Sequence, residues 1–289
     1  MFTLFTDTDT DITPKIAAEY GYKLISMPFS VDGKTVYPYA DSDEFDTHAF
    51  YDSLRAGALP TTSAIGESQY EQYFEPEFSA GKDILYVHFS RAMTATFEAM
   101  DRAVARLREK YPERKFYAVD TMGITICSMN ICLEIGDMYK AGKTPEEIVG
   151  WAEKEVLHYG TYFIADDLKF FRRSGRVSGL KATMGDLMGV RPLIYMNSEG
   201  KMVNFGSVRG RRKALQQLVD ILEQKGENAE EHRVIIGNTD APELVAEIKK
   251  MITDRFGDRY RIIEAVTNPT AGSHCGPNGV GLCFRVGSR

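Results

Sequence analysis

The stretch Leu85-Tyr-Val-His-Phe-Ser90-Arg-Ala-Met-Thr94-Ala-Thr96 joins two patterns. Residues 84–89 are aromatic and β-branched, which predicts a strand that stops at Ser90, whereas Phe97, Met100, Val104 and Leu107 recur at helical spacing. A strand that turns into a helix in this way is the repeating unit of an open α/β sheet. At such a turn the carboxyl end of the strand meets the unpaired N–H groups of the first helical turn, and these favour an anion. Ser90, Thr94 and Thr96 add three hydroxyls to the turn. Helix capping accounts for Thr94 equally well.

The rhythm extends outward from there. A strand over 2–5 precedes Thr6-Asp-Thr-Asp-Thr-Asp-Ile-Thr13 and a helix opened by Pro14. Asp7, Asp9 and Asp11 alternate as calcium-loop ligands do, but the glycine and terminal glutamate of such a loop are missing. We therefore expect no metal here, and a turn in which Asp7 or Thr8 bonds nearby backbone N–H groups. A strand over 23–29 leads into the hairpin turn Val31-Asp-Gly-Lys-Thr35. Residues 46–56 predict a helix with Phe50, Tyr51 and Leu54 on one side, and Pro60-Thr-Thr62-Ser63 forms a second hydroxyl-rich turn. Helices over 68–78, 128–141 and 145–157 surround a strand over 115–120. Thr144, Pro145 and Glu147 carry the signature of a capping box. The fold class is α/β, and residues 1–159 predict an N-terminal domain with a mostly parallel sheet and flanking helices.

From residue 160 the texture changes. Strands are predicted over 162–165, 191–196, 202–208, 233–237, 260–266 and 279–286, with a hairpin across Asn197-Ser-Glu-Gly200 and helices over 168–173, 213–224 and 242–256. This gives a second α/β domain, 160–289, with mixed strands. No linker or low-complexity tract separates the halves, so a ligand site is expected at their junction.

Composition excludes several classes. The 289 residues carry a net charge of −6 with no basic tail, which argues against nucleic acid and against an anionic membrane surface. Four cysteines without metal-type spacing are too few for a disulfide scaffold. No apolar run approaches the roughly 20 residues of a membrane span, and the acidic start is unlike a signal peptide. A soluble, cytoplasmic protein is expected.

Two features of the second half stand out. Lys169, Arg172, Arg173, Arg176, Arg209, Arg211, Arg212 and Lys213 concentrate positive charge in an acidic chain, although a solvated face explains most of them. His274 enters the Gly- and Pro-rich run Ser273-His-Cys-Gly-Pro-Asn-Gly279, read as a loop, where an imidazole can meet a carboxylate. Adjacent Cys275 is poorly placed to act with it as a nucleophile.

Phe5-Thr-Asp-Thr, Val31-Asp-Gly-Lys, Thr62-Ser63, Ser90 to Thr96, Phe170 to Ser178, Val190-Arg-Pro-Leu-Ile, Val208-Arg209 and His274-Cys-Gly-Pro277 together resemble the successive motifs of the DegV family. The resemblance implies a two-domain bacterial protein that binds a long-chain fatty acid in a tunnel. It also implies a non-catalytic carrier that presents the acid to a fatty acid kinase subunit of the dihydroxyacetone-kinase-like type, without a cofactor. The family's carboxylate ligands fall on Thr62, Ser63, Ser90 and His274, with Thr94 beside them, and its partner-docking arginines on Arg176 and Arg209. Thr94-Ala-Thr96 and Ala64-Ile-Gly66 depart from the family pattern, as does Asn278 in a usual glycine position. Met93, Phe97, Met184, Leu187 and Met188 are apolar neighbours of these motifs that could line the tail.

The rival class is a stand-alone serine hydrolase or acyltransferase using Ser90 or Ser63 with His274 as base. Neither serine sits in a G-x-S-x-G elbow. A nucleotide-binding oxidoreductase needs a Gly-rich first turn, and Thr6-Asp-Thr-Asp9 has none.

Overall fold

The computed structural model describes residues 1–166, 168–178 and 189–289. The chain begins with β1 (Phe2–Asp7), α1 (Pro14–Tyr20) and β2 (Tyr22–Ile25), followed by a small hairpin of β3 (Phe29–Val31) and β4 (Lys34–Val36). Then come α2 (Thr47–Arg55), β5 (Thr61–Thr62), α3 (Glu67–Ser79), β6 (Asp83–His88), α4 (Thr96–Lys110), β7 (Phe116–Asp120), α5 (Ile126–Lys140) and α6 (Pro145–Glu155). The second half contains β8 (Tyr159–Ile164), α7 (Lys169–Ser174), β9 (Val177–Ser178), β10 (Val190–Met196), β11 (Met202–Arg209) and α8 (Arg211–Lys225). It closes with β12 (Arg233–Asn238), α9 (Pro242–Phe256), β13 (Arg261–Val266), α10 (Pro269–Cys275) and β14 (Val280–Arg285).

Three sheets result among the described residues. The first is parallel throughout, in the order β2-β1-β6-β7. The second is mixed, in the order β13-β12-β14-β8-β10-β11-β9. Its outer pairs β12/β13 and β11/β9 are parallel, and the pairs between them are antiparallel. The third, β4-β3-β5, is a short antiparallel sheet. The change of sheet falls at Tyr159, the first residue of the mixed sheet.

Local chemistry explains the boundaries. Thr13 caps α1 ahead of Pro14, and Thr144 with Glu147 closes both halves of the capping box on α6. Asp32 and Gly33 both adopt positive φ, as a two-residue hairpin turn of this twist demands. Two expectations change. The strand over 23–29 is two strands, β2 and β3, which belong to different sheets. Ser273, His274 and Cys275, read as the start of a loop, instead end a helix, α10.

Helix α5 joins the halves. Ten of its fifteen residues are buried, the pattern of a helix covered on most sides. Its apolar neighbours come from both sheets: Leu4, Leu85, Val87 and Val119 from the first, Ile235 and Cys283 from the second. The two halves thus share a continuous core rather than a wet domain interface.

Candidate ligand cavity between the sheets

The site is built on short elements held by long-range bonds. Thr62 is set by the pairing of β5 with Phe29 of β3. The chain just before it is fixed by Arg173, whose guanidinium donates to the carbonyls of Leu59 and Pro60. Helix α10 is stapled at its start, where Asn268 caps Ala271 N–H and donates from its own N–H and Nδ2 to Asp11 Oδ1 at 2.9 and 2.8 Å. Thr270 donates to the Met27 carbonyl and Ser273 to that of Pro269. His274 lies in the last turn of α10, and Gly276 follows at φ 73°, where a Cβ would meet the Phe170 ring at 2.3 Å.

These elements bring Thr62 Oγ1 and His274 Nε2 within 2.9 Å, at a cavity of about 270 Å³. That is roughly twenty times the space one buried water needs. Ser63, Thr94 and Arg176 line it as well. The remaining wall is largely apolar, including Met27, Phe89, Met93, Ile124, Phe163, Phe171, Met196 and Met202. Four methionines among these suit a flexible apolar ligand.

Burial pushes the His274 pKa down to about 4, reinforced by the charges of Arg176 and Arg173. Its imidazole is therefore neutral at pH 7, with positive charge beside it. Hydroxyls, a neutral imidazole and a guanidinium form a set that can receive a carboxylate by charge-assisted hydrogen bonds.

Several expected residues are placed elsewhere. Ser90 is 1% exposed and does not line the cavity; its hydroxyl donates to the Gly200 carbonyl at 2.8 Å and accepts from Ala92 N–H. Phe97 packs in the core against Phe89 and His88. Arg209 ends β11, exposed and away from the cavity. Val177, next to Arg176, pairs with the first residue of β11, so roughly 20 Å of strand separates the two arginines. Met184, Leu187 and Met188 lie outside the described residues. Asn278, in place of a glycine, adopts φ 63°.

The aspartates of the first turn are buried. Asp7 accepts from Asp9 N–H, the Tyr86 hydroxyl and Phe89 N–H, while Thr8 Oγ1 accepts from Met27 N–H, as expected of a closed turn. Burial nevertheless pushes both Asp7 and Asp11 up to about 7. Among the described residues, the group close enough to hold a cation is instead His48, Asp52 and Asp240, and Arg55 already bonds both of those carboxylates. Arg173 and Asp9 were read from sequence only as part of a basic cluster and of the first turn, because neither the carbonyls nor the cavity wall that they face is adjacent in the chain.

Comparison with known proteins is consistent with this architecture. A DegV domain-containing protein of Clostridium perfringens is 29% identical over 283 residues, covering 98% of this chain and 97% of that one. The solved structure described as fatty acid binding of a DegV family protein from Thermus thermophilus superposes with a TM-score of 0.85 at 19% identity, covering 99% of both chains. A stearic acid-binding protein from Eubacterium ventriosum gives 0.85 at 18% identity, covering 99% of this chain and 98% of that one. The family model described as an uncharacterised protein, DegV family, matches residues 1–286. Because that match spans both large sheets and every segment that lines the cavity, the chain belongs to the DegV family.

Proposed function

We propose that this protein binds a long-chain fatty acid, with the carboxylate at Thr62, Ser63, Thr94 and His274 and the tail in the apolar part of the cavity. The observation that carries this is the Thr62–His274 pair, set with Arg176 on a cavity that is otherwise mostly apolar. The solved relatives described as fatty-acid binders support it. The polar end fixes orientation, and the tail supplies affinity at about 0.8 kcal/mol per buried CH₂, before ordering costs. Ser90 then has a structural task, holding the turn at Gly200.

The protein acts in this reading as a non-catalytic carrier that presents its acid to a fatty acid kinase subunit, with Arg176 on the cavity wall and Arg209 at the exposed end of β11 as its docking residues. Use of Ser90 as a nucleophile is disfavoured, since its hydroxyl is committed to a carbonyl and lies off the cavity. The test is mass spectrometry of natively purified protein after denaturation. Release of a fatty acid in stoichiometric amount is expected, and protein that carries none and takes up none when offered stearate refutes the proposal.

A further inference from the structure

One polar group in the cavity wall has no task in the carboxylate site. Asp9 lies in the turn after β1, is 5% exposed and lines the cavity. Its Oδ1 is buried without a hydrogen-bond partner among the described residues, whereas both oxygens of Asp7 beside it accept hydrogen bonds; Asp11 accepts two at Oδ1 and leaves Oδ2 unpartnered, but it does not line the cavity. Buried polar side chains are rarely left in this state. Burial, then the neighbouring Asp7 and Asp11, raise the Asp9 pKa well above the ordinary carboxyl value, which favours the protonated form. A protonated carboxyl both donates and accepts, so the group that satisfies it is a neutral oxygen rather than a cation.

The position of Asp9 restricts which oxygen that is. Asn268, at the start of α10, bonds Asp11, two residues from Asp9, while His274 at the other end of the helix bonds Thr62. Six residues of helix separate those two ends, about 9 Å. The turn that holds Asp9 is thus tied, through Asp11, to the end of α10 opposite the Thr62–His274 pair. Thr161, 3% exposed, adds a hydroxyl to the same cavity wall that bonds no nitrogen or oxygen among the described residues and stands beside the thiols of Cys127 and Cys283.

We propose that the cavity selects an acyl chain bearing a mid-chain hydroxyl, and that Asp9 is the partner of that hydroxyl. This rests on the fatty-acid reading above and narrows it to oxygenated fatty acids. The plain acid leaves Asp9 unsatisfied, so it is the poorer ligand.

The test is competition between a fluorescent fatty acid and three unlabelled acids, on delipidated full-length protein: stearate, an α-hydroxystearate and a mid-chain hydroxystearate. We expect the mid-chain hydroxystearate to bind at least tenfold more tightly than stearate, and the α-hydroxy isomer to show no such gain. Asp9→Leu should reverse the order, strengthening stearate and weakening the hydroxy acid, while Asp9→Asn, which keeps a donor and an acceptor, should retain the original order. Equal affinity of wild type for stearate and the mid-chain hydroxystearate overturns the inference and leaves fatty-acid binding standing. Failure of every acid to displace the probe overturns both. If Asp9→Leu does not fold, the wild-type order and that of Asp9→Asn decide.

Discussion

Thr62 and His274 are 212 residues apart in sequence and 2.9 Å apart in space, one on a two-residue strand and the other in the last turn of a seven-residue helix. Removing the hydroxyl deprives a bound carboxylate of a donor and His274 of its partner. Thr62→Val is expected to weaken fatty acid binding by about 1–3 kcal/mol, while Thr62→Ser stays near wild type. Titration with a fluorescent fatty acid measures both, and an unchanged Thr62→Val removes Thr62 from the carboxylate site.

The protonation of His274 gives a pH prediction with a definite sign. Its pKa is about 4 in the folded chain against an ordinary 6.5, so the unfolded state binds the proton first. The stability associated with the neutral imidazole is present above pH 6.5 and is lost as pH falls from 6.5 towards 4. Denaturant titrations should show that His274→Gln loses less stability than wild type across that window. A bound carboxylate offsets the burial and the arginine charges, so ligand binding near pH 6 should take up protons. Calorimetry in buffers of different ionisation enthalpy detects this as a buffer-dependent heat.

Asp11 behaves in the opposite sense. Burial raises its pKa from 3.8 to about 7, so the folded state holds the proton more tightly and its contribution to stability falls as pH rises from 3.8 through 7. Asp11→Asn keeps an acceptor for Asn268, and asparagine tolerates the φ of 57° found there. The variant's advantage over wild type should therefore grow as pH rises from 3.8 to about 7 and then level off, by up to about 1.4 kcal/mol for each unit of pKa shift. A difference that does not change with pH contradicts the assignment.

Ser90 and Gly200 form a contact that reads as a latch between the first sheet and the β10–β11 turn. Gly200 has φ 71°, and a Cβ there would stand 2.3 Å from Ser90 Oγ. Gly200→Ala should cost about 1–3 kcal/mol through the left-handed backbone and the collision. Ser90→Ala should relieve the collision part alone, so the two substitutions together should cost less than their sum. A serine-directed fluorophosphonate is expected to leave Ser90 unlabelled, and stoichiometric labelling would reinstate the hydrolase.

How much of this was legible depends on how locally each signal is written. The helices at 14–20, 145–155 and 242–256 announce themselves with Pro at their first position, and the parallel strand at 83–88 with its aromatic and β-branched run. Helix α10 carries the same start signal, Pro269 behind the Asn268 cap, but Thr270, Ala271, Gly272 and Ser273 are all buried and offer no apolar face to extend it. The hydroxyl of Ser90 looked available because its partner, Gly200, stands 110 residues away. Asp9 looked like a turn residue, and it is one; its burial against a cavity is a property of the assembled fold. Thr62 and His274 were marked by residue type, a hydroxyl-rich turn and an imidazole in a Gly- and Pro-rich run, and only the family resemblance joined them as carboxylate ligands.

The two arginines test the carrier reading. Arg176 lines the cavity and adds to the electrostatic depression of His274, whereas Arg209 stands exposed at the far end of β11. Their substitutions should therefore separate. Arg176→Ala removes a charge that faces the ligand carboxylate, so it should loosen fatty acid binding several-fold and move the His274 pKa upward. Arg209→Ala should leave bound lipid as in wild type. Both should slow acyl phosphate formation when the protein is reconstituted with a fatty acid kinase subunit and ATP, because guanidinium groups on a docking rim steer the partner. Rim charges are screened over about 8 Å at physiological ionic strength, so raised salt should slow wild type more than Arg209→Ala. Loss of lipid from Arg209→Ala, with a normal rate in Arg176→Ala, would refute both assignments, since Arg176 would then take no part in docking and Arg209 would belong to the lipid site.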